Sequence, residues 1–170
     1  MYYNGWTRDT YVACVFLFAP NGCISIAAWN APGHIHDSAL ADMGNVYKSL
    51  NDVYRKYGGK CVADSAFSTT YPFIIKSSQE TDTDDYDQNF VNLQATCMRQ
   101  SAKWGMRSLK ASFPRLKDRI IYEEKGERKL ILDLIIYLHN YKTMKIGINE
   151  ILNKYMPIYE LDAKDLLKLH

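Results

Sequence analysis

A few acidic and histidine side chains lie at predicted turns of the chain, and these are the residues that could do chemistry. Asp64 follows a short apolar strand, and His34, His36 and Asp37 share one loop before a helix. A carboxylate at a strand end can hold a divalent metal ion or can serve as a turn or cap, and spacing alone favours the turn or cap. The two histidines with Asp37 could bind zinc, but without a distant partner they are better interpreted as solvated. For Asp37 we favour helix capping over metal binding.

Basic side chains recur along one predicted helix at intervals that bring them onto a single face. The residues of this basic stripe are spaced by four, four and three positions, and they are Arg99, Lys103, Arg107 and Lys110. Arg115 and Lys117 continue the basic character just beyond the helix. Such a face can neutralise DNA phosphates, or it can simply be solvated. The residues alone favour these two interpretations almost equally.

The elements that must position these side chains are visible as hydrophobic patterns. Two aromatic and β-branched runs flank Asn21-Gly22, which is typical of a hairpin, and apolar residues at helical spacing predict the helices. In chain order, we predict a hairpin at 11–29, a helix at 37–57, a strand at 61–64, and helices at 89–112 and 127–142. This order predicts an α/β fold, and a single domain over residues 1–170 suffices.

Composition narrows the class of protein. The chain has 170 residues, of which 47% are hydrophobic and 24% charged, as in a globular domain. No apolar run approaches the roughly 20 residues of a membrane-spanning helix, and the polar start lacks the profile of a secretory signal. We therefore expect a nuclear or cytoplasmic protein that is not secreted. The four cysteines are scattered without a CxxC pair, which favours free thiols over a zinc site.

Three ordered stretches carry a resemblance to a known family. They are Asn30–Ser38 (NAPGHIHDS), Val62–Phe67 (VADSAF) and Met98–Leu116 (MRQSAKWGMRSLKASFPRL). Together they resemble the DDE superfamily endonuclease domain of PIF/Harbinger-type transposases. Shorter segments at Tyr3–Trp6, Leu138–Asn140 and Gly147–Asn149 are similar to the same family, so the resemblance covers nearly the whole chain.

The resemblance implies a fold and a chemistry. The fold would be an RNase H-like domain with additional C-terminal helices, and duplex DNA would be the substrate. The reaction would be DNA cleavage and strand transfer at two divalent ions, Mg²⁺ or Mn²⁺, held about 3.5–4 Å apart by carboxylates. Asp64 matches one of the family's acids, and Asp37 is the second candidate for a catalytic and metal-binding carboxylate.

Two departures from the family pattern put this chemistry in doubt. Lys103 stands where the family helix has a glutamate, which changes the local charge by two units and places an ammonium where a cation should bind. The first family acid belongs to a strand upstream of the segment matched by Tyr3–Trp6, so we expect that strand and its carboxylate to be missing and the domain to be incomplete. A mis-started gene model that lacks an upstream strand would give the same pattern.

The sequence therefore leads to two functional hypotheses. The first is a transposase-derived endonuclease-like domain that has lost its catalytic and metal-binding activity. The second is a non-catalytic DNA-binding or protein-interaction module derived from a transposase, in which the basic stripe, Arg115 and Lys117 contact phosphates.

Overall fold

Strands and helices are mixed along the chain in the computed structural model, which describes residues 3–4, 9–67, 70–76, 86–116, 125–147 and 149–153. The strands are β1 (Tyr3–Asn4), β2 (Asp9–Thr10), β3 (Val12–Phe18), β4 (Ile24–Pro32), β5 (Cys61–Ala63) and β6 (Ile74–Lys76). The helices are α1 (Asp37–Met43), α2 (Val46–Tyr57), α3 (Tyr86–Ser112) and α4 (Lys125–Ile146), with a 3₁₀ turn at Pro114–Leu116. This mixture confirms the predicted α/β class and is consistent with a partial RNase H-like domain plus helices.

The strands of the described ranges form three two-stranded sheets, β1 with β2, β3 with β4, and β5 with β6. The hairpin of β3 and β4 lies where the sequence pattern predicts it, because Asn21-Gly22 supplies the turn. The Ala19 amide donates to the Cys23 carbonyl at 2.8 Å, and the Asn21 side-chain oxygen accepts from the Cys23 amide at 3.0 Å. Gly22 has a φ of 80°, which a side chain would disfavour.

The predicted single helix at 37–57 is wrong, because the structure breaks it into α1 and α2. Asn45 adopts a left-handed conformation with a φ of 56°, which interrupts the helical path. Gly44 packs directly against Ala28 of β4, and a Cβ atom at residue 44 would clash with that side chain. The helix is thus interrupted where the chain passes close to β4. The helical periodicity of the sequence does not reveal this break.

The short parallel pairing of β5 and β6 was not predicted from the sequence. Cys61 pairs with Ile74 and Ala63 with Lys76, so β5 ends beside the last residue of β6. Phe73, just before β6, is only 1% exposed and stacks on Tyr71 with ring centroids 5.1 Å apart. This aromatic packing anchors a strand that is too short to stand out as a pattern.

The chain divides into two compact units, one formed by residues 1–15 and 26–102 and the other by residues 16–25 and 103–170. The core of the first unit includes Leu40, Ala41, Tyr47, Leu50 and Phe73, and that of the second includes Leu109, Leu132 and His139. Helix α3 begins at Tyr86, earlier than the predicted 89, and α4 extends to Ile146 beyond the predicted 142. None of the helices in the described ranges is long and apolar enough to cross a membrane.

In the second unit, α4 holds the tip of the hairpin by its backbone. The Asn140 side chain accepts from the Ile24 amide at 2.8 Å and donates to the Ile24 carbonyl at 2.9 Å, as a neighbouring strand would. The ring of buried His139 lies 3.4 Å from the Gly22 carbonyl. Asn149 packs on Gly22 and also accepts from the Ile151 amide at 2.8 Å. These contacts give a structural role to the Leu138–Asn140 and Gly147–Asn149 segments.

Candidate nuclease-like site and basic helix

Asp64 lies in the turn that directly follows β5. Its carboxylate Oδ1 accepts from the Ser65 amide at 2.7 Å, and its backbone carbonyl accepts from the Phe67 amide at 3.2 Å. The Lys76 ammonium, at the end of β6, donates to the Ser65 carbonyl at 3.1 Å. The Asp64 side chain is 58% exposed, so the carboxylate is accessible from solvent.

Arg99 of α3 reaches the same carboxylate oxygen. Its Nη1 lies 3.3 Å from Asp64 Oδ1, and its side chain is 32% exposed. The Arg99 Nε is buried and makes no hydrogen bond within the described residues. Because Asp64 is largely exposed, the pair stabilises the fold by at most about 1 kcal/mol. The contact nevertheless places a guanidinium where a cation bound to Asp64 would lie.

Lys103 follows Arg99 by one turn of α3 and is exposed, as are Arg107 and Lys110. Helical spacing puts these side chains on one flank of α3, as the sequence predicts. Arg115 lies in the 3₁₀ turn Pro114–Leu116, and Lys117 falls outside the described residues. The described part of the basic stripe therefore has one member paired with a carboxylate and three that face solvent.

Helical spacing predicts that Leu93, Cys97, Trp104 and Leu109 form the apolar side of α3, and this prediction is partly wrong. Leu109 is buried at 2% exposure, but Leu93 is 60% exposed and Cys97 is also exposed. Asn92 and Ala95 are the buried residues of that part of the helix instead. Helix α3 therefore packs through a face that includes a polar residue. A prediction based on hydrophobicity alone assigns the wrong residues to its buried side.

Comparison with known proteins assigns the chain to a family. The family model for the DDE superfamily endonuclease matches residues 1–140. The chain belongs to the DDE superfamily endonucleases. No curated protein and no solved structure gives a significant match. The match includes the hairpin, Asp64, the whole of α3 and the Asn140 contact with the hairpin.

DDE superfamily endonucleases generally depend on divalent metal ions. Within the described ranges, no group of three or more His, Cys, Asp or Glu residues could hold a metal ion. Asp64 is contacted by Arg99, and the exposed base Lys103 lies one turn further along the same helix. A carboxylate that already pairs with a guanidinium does not fit a divalent cation.

Asp37 is the first residue of α1 and is exposed. The capping predicted for it is wrong in detail, because His36 occupies the N-cap position and no side-chain hydrogen bond caps the helix. Ser38, which sequence position also makes a candidate cap, shares a hydrogen bond with the Tyr47 hydroxyl at 2.8 Å instead. The Asp37 carboxylate still lies in the first turn, where the helix dipole favours negative charge. His34 and His36 are exposed.

Two partly buried thiols, Cys61 and Cys14, have raised pKa values. Burial raises the pKa of the Cys61 thiol, at the start of β5, to about 11. Burial likewise raises the pKa of Cys14 on β3. Both groups therefore stay protonated at neutral pH and are poor nucleophiles.

Proposed function

We propose that this chain is a transposase-derived domain of the PIF/Harbinger type that no longer cleaves DNA. The observation that carries the proposal is the 3.3 Å contact between Arg99 and Asp64. Metal-dependent nucleases need carboxylate oxygens free to coordinate the ion. Here one oxygen of the matching acid already accepts from the Ser65 amide and from the guanidinium.

Lys103 strengthens the proposal, because the family pattern has an acid at this position. Each pair of unit charges 4 Å apart near a protein surface interacts by about 4 kcal/mol. An ammonium in place of a carboxylate therefore converts a large attraction for a divalent cation into a repulsion. The Arg99 guanidinium on Asp64 and the base at position 103 each disfavour a bound divalent cation.

The metal-binding part of the proposal is tested with Mn²⁺ as the probe, by electron paramagnetic resonance of the full chain. We expect Mn²⁺ binding by the wild type and by Asp64→Ala to be indistinguishable and weak. The charge-restoring double variant Arg99→Ala/Lys103→Glu is the matched comparison, and it should bind Mn²⁺ more tightly than the wild type. Tight Mn²⁺ binding by the wild type that Asp64→Ala removes would contradict the proposal.

A second candidate function, non-catalytic binding of duplex DNA, is favoured by the exposure of Lys103, Arg107 and Lys110 on one flank of α3. Binding would rest on phosphate neutralisation and counterion release, so it would be nearly independent of DNA sequence and steeply dependent on salt. Such a protein would act in the nucleus. Fluorescence anisotropy with two unrelated duplexes distinguishes this function, since a strong preference for one duplex would argue against it.

A further inference from the structure

A buried histidine of the second unit has no part in the candidate site, and it contacts the hairpin tip, defined here as residues 19–24. His139 of α4 is only 1% exposed. Its Nε2 lies 3.4 Å from the Gly22 carbonyl oxygen, and its ring meets the Phe18 ring edge-on with centroids 6.3 Å apart. The imidazole is therefore withdrawn from water while it contacts the backbone of the hairpin turn.

The Gly22 carbonyl determines which ring nitrogen of neutral His139 carries the hydrogen. A carbonyl oxygen can only accept, so Nε2 holds the hydrogen and donates it, and Nδ1 keeps a lone pair. Nδ1 is buried and has no hydrogen-bond partner among the described residues. A second proton would bind at Nδ1 and create a buried donor without an acceptor, which costs free energy. Contact with the hairpin tip therefore favours the neutral ring.

Burial and charge both oppose protonation of this ring. Burial is the largest cause that lowers the pKa of His139, and the positive charge of Lys142 lowers it further. The hydrogen bond to the Gly22 carbonyl acts in the opposite direction but is weaker than burial. Ser112 of α3 accepts from the Lys142 ammonium at 2.8 Å, which fixes the position of that charge.

The other charged or titratable groups of the second unit do not compensate a charge on His139. The hairpin tip carries Cys23, whose thiol stays neutral because burial raises its pKa. The acid Glu150, which follows α4, is exposed. In α3, the bases of this unit are all exposed, namely Lys103, Arg107 and Lys110. The remaining charged residues of α4 lie six or more positions from His139 along the helix, and they are Lys125, Glu127, Arg128, Lys129, Asp133 and Lys145.

The other described contacts that hold the hairpin tip do not change charge with pH. The Asn140 side chain bonds both backbone groups of Ile24, and the Asn149 side chain packs on Gly22. Both are neutral amides at every ordinary pH. Among these contacts, only that of His139 can respond to a proton between pH 5 and pH 7.

We propose that His139 makes the hairpin tip an acid-sensitive latch, in which protonation of the imidazole releases residues 19–24 from α4 while α3 and α4 stay folded. In the released state the imidazole is hydrated and has an ordinary pKa of about 6.5. In the closed state it resists the proton, so the latch is stable above pH 6.5 and weakens as the pH falls through that value. Between pH 7 and pH 5, this difference can raise the released fraction by up to about 25-fold.

Amide hydrogen exchange of the full chain, followed by nuclear magnetic resonance and corrected for the intrinsic exchange rate at each pH, tests the latch. The Ile24 amide reports release because it donates to Asn140, and the Leu109 amide inside α3 reports unfolding of the whole unit. Opening at Ile24 should increase by up to about 25-fold from pH 7 to pH 5. It should depend only weakly on urea, because release of a short segment exposes little surface.

Two results with the wild type would overturn the latch. One is an increase at Ile24 of less than about twofold between pH 7 and pH 5. The other is a urea dependence at Ile24 as steep as that at Leu109, which would show that the tip opens only when the whole unit unfolds.

A pair of histidine substitutions identifies the titrating group. His139→Gln keeps a donor for the Gly22 carbonyl but cannot take up a proton, so the pH response at Ile24 should disappear. His36→Gln is the matched control, because His36 is exposed and belongs to the first unit, and it should leave the response unchanged. A response that persists in His139→Gln, or that His36→Gln also removes, would contradict the role of His139. The wild-type comparison needs no substitution, so the latch stays testable if His139→Gln does not fold.

Discussion

Charge reversal on α3 should change how DNA binding depends on salt, if the basic stripe contacts phosphates. Lys103, Arg107 and Lys110 are exposed on one flank, so we take three phosphate contacts as the minimum. With a slope of about −0.9 per contact, affinity should fall roughly 40-fold between about 50 and 200 mM salt. Lys103→Glu removes one contact, which reduces that fall to roughly 12-fold. The Arg107→Glu/Lys110→Glu double variant removes two and leaves a fall of roughly threefold to fourfold.

Fluorescence anisotropy with one labelled duplex, titrated at four or more salt concentrations without metal ions, measures these slopes directly. The matched control is Lys48→Glu, which makes the same charge change at an exposed residue of α2. Further contacts from neighbouring bases would steepen all slopes alike and leave the differences between variants unchanged. Equal slopes for the wild type, Lys103→Glu and the double reversal would show that the stripe is only a solvated face.

Three further predictions concern the stability of the second unit, and urea unfolding measures each of them. Asn140→Ala should lower the free energy of unfolding by about 2 kcal/mol, because two backbone groups of the hairpin lose their partners, whereas Lys145→Ala should change it by less than about 0.5 kcal/mol; equal effects would refute the role of Asn140. Desolvation by burial lowers the pKa of His139 from 6.5 in the folded state. As the pH drops below 6.5, the imidazole is protonated in the unfolded state before it is protonated in the folded state. The free energy of unfolding should therefore fall below pH 6.5. His139→Gln should flatten the decline, and an unchanged pH profile would contradict it. Gly105→Ala should cost about 1–3 kcal/mol, because its Cβ would lie 2.6 Å from the Phe18 ring; Phe18→Leu should relieve most of that cost, and no relief would count against this contact.

Elements with local signals could be predicted from the sequence. The hairpin follows from two apolar runs around Asn21-Gly22, and α3 follows from a long helical period that ends before Pro114. The position of Asp64 after a strand follows from its motif. These features depend on residues close together in the chain, which is why pattern and propensity suffice for them.

Features that depend on distant contacts could not be predicted in the same way. The break between α1 and α2 arises where Gly44 meets Ala28, and the contact of Arg99 with Asp64 joins residues 35 positions apart. Strand β6 is defined by its pairing with β5 and by the packing of Phe73, since three residues carry too little pattern. Sequence reasoning identified Arg99 as part of a basic face but gave no signal that it would lie against the candidate metal ligand.

A strand-cleavage assay tests the central claim most directly. Supercoiled plasmid is incubated with the full chain and with Asp64→Ala, each with Mg²⁺ and with Mn²⁺, and nicked product is quantified beside an active metal-dependent nuclease. Because Arg99 lies on Asp64 and Lys103 replaces the expected acid, we predict that wild type and Asp64→Ala give the same background of nicking with either metal. Metal-dependent nicking by the wild type that Asp64→Ala abolishes would contradict the account.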